Sequence, residues 1–164
     1  MSILTTAEVT LRKLRGFTLV EMIMVITLIA IISVSASSLF LNTDRYSTIA
    51  AREQLVSVAI LAQKRALVNA VSATPVTLTV SQTASDWLYS VSQGATDFGT
   101  REATRSGASL AVNGITLNNG GSVSVSFDIN AETSAQNQFV FSGGNTHVLC
   151  ISASGFAYIG NCQP

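Results

Sequence analysis

Residues 17–41 read FTLVEMIMVITLIAIISVSASSLFL, and the reading of this stretch decides the architecture. It holds 25 residues with one charge, Glu21, and neither Pro nor Gly. At 1.5 Å per residue such a run spans roughly 37 Å as a helix, more than the ~30 Å hydrocarbon core of a bilayer. Just before it stand Arg12, Lys13 and Arg15 against Glu8. The positive-inside rule keeps that cluster cytoplasmic and places everything after the apolar run beyond the inner membrane.

Three readings fit these features. An ordinary secretory signal has a basic start, an apolar centre and a small-residue cut, and Val34-Ser35-Ala36 offers that cut. A soluble secreted β protein would then follow. The second reading is a plain membrane anchor. Neither accounts for Glu21. A carboxylate at that depth costs about 2.5–3.5 kcal/mol on insertion scales, and charges inside membranes usually have a partner. The third reading supplies one. A cut between Gly16 and Phe17 creates a charged α-amine at Phe17, and on a neighbouring copy that amine pairs with Glu21. Gly16 gives a protease close access to the backbone, and the basic leader holds the cut on the cytoplasmic side.

Arg15-Gly16-Phe17-Thr18-Leu19-Val20-Glu21, followed by the apolar run, resembles the class III signal of type IV prepilins and pseudopilins. The resemblance implies cleavage between Gly16 and Phe17 by prepilin peptidase, N-methylation at Phe17, and pairing of Glu21 with the Phe17 amine of an adjacent subunit. It implies other pilins or pseudopilins as partners, with inner-membrane lipid around the helix before assembly and a pilus or pseudopilus afterwards. Many major pilins carry a helix-kinking Pro in the apolar helix. Here the only prolines are Pro75 and Pro164, which favours a minor subunit. Leu61-Ala62-Gln63-Lys64-Arg65-Ala66 before a β head is similar to the group of the type II secretion minor pseudopilin H and fimbrial-T-like pilins. Within that group, the short acidic head and an expected C-terminal disulfide look somewhat closer to minor pilins of the mannose-sensitive haemagglutinin pilus.

The expected fold class is α+β: a long N-terminal helix carrying a C-terminal antiparallel β head. Residues 1–16 form the leader, 17–41 the membrane or filament-core helix, 42–73 its amphipathic continuation and 74–164 the head. The helix is expected to run unbroken to about Val71, roughly 80 Å in all. Along its second half Ile49, Val56, Ile60 and Leu67 fall on one stripe, with Leu55, Ala59, Ala62 and Ala66 beside it. After Pro75 the texture turns to short β signals between Gly, Asn and Ser. Strands are expected at 76–80, 87–91 and 123–127, a hairpin over 138–151, and a last strand at 156–159. Residues 92–109, with Gly94, Gly99, Gly107 and most of the head's charges, read as a long exposed loop.

The chain has 164 residues, 48% of them hydrophobic and 11% charged, with nine basic and nine acidic groups. That is room for one modest core and excludes disorder. After Arg105 no Lys or Arg occurs, so the last third cannot neutralise a run of phosphates and no nucleic-acid partner is expected. A glycan- or surface-binding tip adhesin stays open as an alternative to a purely structural subunit. The sequence offers no GxSxG, HExxH or Walker lysine, so no catalytic site is expected. Two cysteines and one histidine are too few for a structural zinc site, and the dispersed Asp86, Asp97, Asp128 and Glu132 lack calcium-loop spacing. No cofactor or metal is expected. His147 alternates with apolar residues and reads as a surface or edge residue. Cys150 and Cys162 lie in a segment placed outside the cytoplasm, where a disulfide is expected, two buried free thiols being the alternative. A C-terminal disulfide loop is also common in the resembled family.

Overall fold

A computed structural model describes residues 17–40, 43–68 and 74–163. They form two helices, α1 (Leu19–Phe40) and α2 (Thr43–Val68), followed by nine strands. The chain divides into two compact units, Met1–Leu41 and Asn42–Pro164, each described here by itself. The expected passage of one helix into the next, and its extension to Val71, fall at residues 41–42 and 69–71, outside the described residues.

α1 is almost wholly apolar, and two of its hydroxyls bond back to the helix itself. The Thr27 hydroxyl donates to the Met24 carbonyl at 2.9 Å and the Ser33 hydroxyl to the Ile29 carbonyl at 2.7 Å. Such back-bonding lets hydroxyls sit in an environment without water. The side chains of α1 are described without a break from Leu19 to Val34, and they are exposed throughout. Among the described residues no helix is long and apolar enough to cross a membrane.

The second unit is an α+β head in which two antiparallel sheets pack on α2. The first sheet has the order β3-β2-β1-β6, from β1 (Val76–Gln82), β2 (Asp86–Gln93), β3 (Thr96–Thr104) and β6 (Ser122–Phe127). The second has the order β5-β4-β7-β8-β9, from β4 (Ser109–Val112), β5 (Ile115–Thr116), β7 (Asn137–Gly143), β8 (Asn145–Ile151) and β9 (Ala157–Ile159). Alternation sets the faces: Val76, Leu78 and Val80 are buried, and the intervening Thr77, Thr79 and Ser81 face outward. Trp87 of the first sheet meets Phe141 of the second edge to face, with centroids 5.2 Å apart.

The structure chooses between the two stripes of α2 and overturns the loop expected at 92–109. The stripe of α2 that enters the core is the small one: Ala51, Leu55, Ala59, Ala62 and Ala66 are buried, with Val58. Ile49, Ile60 and Leu67 are exposed, and only Val56 of that stripe packs against the core. Alanines let the helix axis approach the sheets closely while the bulky rings come from the strands. The second change concerns residues 92–109, which hold β3 and the first residue of β4 rather than a loop. β3 pairs with β2 from Asp86↔Thr104 to Gln93↔Thr96, with a bulge opposite Ser90–Ser92. It is an edge strand with a single buried residue, Ala103, so it carries no alternation to recognise.

Candidate functional site

Thr18 stands immediately before α1, and its carbonyl accepts the Met22 N–H at 3.2 Å, the first bond of the helix. Its hydroxyl accepts the Glu21 N–H, also at 3.2 Å. This is N-cap geometry, and it places Glu21 in the first turn, where the helix dipole favours a carboxylate. Glu21 is exposed, and its carboxylate has no hydrogen-bond or ion-pair partner among the described residues. Phe17 is 78% exposed and lies outside the helix. Gly16 and the rest of the leader lie outside the described residues. The start of the helix thus places a carboxylate that has no partner among the described residues one turn from an exposed aromatic residue.

Cys150 and Cys162 form a disulfide, with Cα atoms 5.1 Å apart. It ties the C-terminal tail to β8, and Gln138 of β7 accepts the Cys162 N–H at 3.2 Å. His147 lies in β8 opposite Phe141 and is half-buried, more enclosed than a surface residue. Its Nε2 is buried without a hydrogen-bond partner.

No group of three or more metal-ligating side chains occurs among the described residues. Two open depressions of about 440 and 430 Å³ mark the head. Gln54, Ser57, Val58, Thr100, Arg101 and Glu102 line the first, between α2 and β3. Pro75, Ser126, Asp128, Glu132, Thr133 and Ser134 line the second, and His147 is in neither.

A polar cluster that the sequence reading missed holds the head together. Gln82, 3% exposed, accepts the Trp87 indole N–H at 2.8 Å and donates to the Leu117 carbonyl at 2.6 Å. Arg105 donates to the carbonyls of Thr83 and Ala108 and to Asn119 Oδ1, and stacks over Trp87 at 5.9 Å. Its own carbonyl accepts from Ser47 of α2. The targets are mostly backbone carbonyls brought together by the fold, so side-chain patterns carry no trace of the cluster. The Thr18 cap is different: Thr-x-x-Glu is a capping-box spacing that the sequence displays.

Residues 11–37 match the family model of the prokaryotic N-terminal methylation motif. The match covers the exposed Phe17, the capped helix start and Glu21, and stops before the head. The N terminus is therefore that of a type IV prepilin- or pseudopilin-like protein, a class that points to a structural role, processing by prepilin peptidase and association with pilins. Comparisons with curated proteins and with solved structures give no match.

Proposed function

We propose that the chain is a minor pilin or pseudopilin, a structural subunit of a type IV pilus or a related type II secretion pseudopilus. Prepilin peptidase cuts between Gly16 and Phe17, Phe17 is N-methylated, and α1 holds the subunit in the inner membrane until it enters the fibre. The observation that carries this reading is a Glu21 carboxylate in the first turn of α1, inside the methylation motif and without a partner among the described residues. Membrane anchoring rests on the sequence run. The described side chains of α1 from Leu19 to Val34 span only about 24 Å, whereas residues 17–41 as one helix reach roughly 37 Å. Glu21 then pairs with the Phe17 amine of a neighbour, and the helix packs into the fibre while the head lies outside the membrane.

The mature N terminus, read by mass spectrometry, tests the reading. Methylated Phe17 is expected, and Gly16→Glu is expected to leave the leader attached. A mature chain beginning at Ser37 would establish an ordinary secretory signal and overturn the proposal.

A further inference from the structure

The outer face of the first sheet is paved with hydroxyls. Thr77 and Thr79 of β1 each stand between two serines, Ser92 and Ser126 for the one, Ser90 and Ser124 for the other. Ser81 stands between Leu88 and Ser122. Eight of these nine positions on β2, β1 and β6 are therefore Ser or Thr, and none is charged. All eight are exposed or half-buried. Thr79 and Ser124 bond each other at 3.1 Å, and the other six hydroxyls have no hydrogen-bond partner among the described residues. Charge returns at the margin, with Asp86 at the start of β2 and with Asp97 and Glu102 of β3 opposite Ser92 and Leu88. We propose that this face binds the surface of a neutral polysaccharide.

Composition decides the kind of partner. Nucleic acid and anionic lipid call for Lys or Arg, and the nine positions have neither. Protein interfaces gather aromatic residues, Met and Arg and are poor in Ser, the reverse of this face. Leu88 alone is apolar, too little to enter a bilayer. A neutral polysaccharide is the complement. Each hydroxyl donates one bond and accepts two, so two hydroxyl surfaces satisfy one another and strand no charge. Such short side chains also lose little rotamer freedom on contact. Strands lie about 4.8 Å apart and alternate residues about 6.6 Å apart, so the face measures about 10 Å by about 13 Å and spans more than one sugar ring. A single bond of this kind gains little over the bonds that water offers. The ligand must therefore be extended and rigid enough to make several at once. The inference goes beyond the fibre reading and does not depend on it, since it needs only the folded head.

The test uses the full chain in a detergent without a sugar headgroup, with microcrystalline cellulose as the probe. Thr77→Val together with Thr79→Val keeps the branched shape and drops two hydroxyls. Ser124→Lys together with Ser126→Lys, both at exposed positions, raises two long charged side chains above the face. Thr146→Lys, exposed on β8 of the second sheet, is the control. Wild type and Thr146→Lys are expected to be retained equally, at low and at high salt. Both double variants are expected to be retained at least about tenfold less, with thermal unfolding showing that their heads still fold. Should one double variant unfold, the other decides. No retention of the wild type, retention that salt abolishes, or undiminished retention of a folded double variant overturns the proposal. Self-association of the wild type in sedimentation, lost in the same variants, would make the face a contact between copies and overturn it too.

Discussion

Tyr89 brings its whole ring into the core, 0% exposed, but its hydroxyl finds no hydrogen-bond partner among the described residues. A buried polar atom left unpaired costs about 1–3 kcal/mol. Tyr89→Phe removes the atom and keeps the ring, so the head is expected to be as stable as the wild type or up to about 2 kcal/mol more stable in urea unfolding. Burial also pushes the phenol well above its ordinary range, because the phenolate would lose its hydration. The unfolded chain then releases this proton near pH 10 while the folded chain keeps it, so stability falls as the pH rises above about 10. Wild-type protein is expected to lose stability more steeply than Tyr89→Phe in that window, and equal slopes would contradict the assignment. Gly155 is a second residue whose surroundings decide the outcome. Its φ is +79°, and an added Cβ would fall on the Ala131 carbonyl oxygen. Gly114 has φ +82° with open space around it. Gly114→Ala is expected to cost about 1–2 kcal/mol, the left-handed penalty alone. Gly155→Ala is expected to cost well over about 2 kcal/mol, since backbone must move as well. Thermal unfolding of the two variants checks the order. The core position of Tyr89 was legible from the alternation of Trp87, Tyr89 and Val91. Its orphaned hydroxyl was not, because partners come from strands distant in the chain.

Among the elements, those with clean alternation or a flanking turn signal were readable, and β3, β4 and β5 were not expected. Alternation is clean in β1, β2 and β6, while β7, β8 and β9 are marked by the turns around them, and the expected positions of all six agree with the structure to within a few residues. β3 failed as an element because its neighbours are β2 on one side and nothing on the other. Its partly buried Phe98 lies 4.6 Å under the Arg65 guanidinium, a contact between separate elements that local sequence does not encode. In α2 both apolar stripes were visible, and only the choice between them needed the sheets: β8, β1 and β3 all pack on α2, and its alanine side is the one buried. The C-terminal strands depend on a covalent tie. β9 has three residues, and the disulfide at 150–162 closes a loop of 12 residues around it. Replacing both cysteines with serine is expected to cost the head about 3 kcal/mol on the chain-entropy estimate. In oxidised protein alkylation is expected to label neither thiol, and labelling of both in folded protein would refute the pairing.

For the molecule as a whole, the decisive question is how a chain of this kind joins others, and Glu21 is where that question becomes measurable. The candidate residues Gly16, Phe17 and Glu21 could be named from the sequence because they are near neighbours in the chain and their chemistry is local. The head's role was not, since its surface chemistry depends on which strands the fold places side by side. Glu21→Gln removes the charge and keeps the shape, so insertion into the membrane is expected to be equal or easier. Cleavage after Gly16 is expected to persist, since the cut lies a full turn away. The first turn should also persist, because the Thr18 hydroxyl bonds the backbone N–H of residue 21 and not its side chain. Recruitment is the step expected to fail, because in the proposed pairing the Phe17 amine of the neighbour loses its charged partner in surroundings of low dielectric. Breaking a buried pair from one side costs about 3–5 kcal/mol, a factor of more than a hundred in occupancy. A subunit at the fibre tip escapes that cost on the side where no neighbour stands. The measurement is the ratio of Glu21→Gln protein in sheared filaments to that in the membrane fraction. Strong depletion with normal cleavage is the expected result, and undiminished incorporation would remove Glu21 from the assembly contacts. Depletion accompanied by lost cleavage would instead place Glu21 in recognition by the peptidase, so the two readouts together separate processing from assembly.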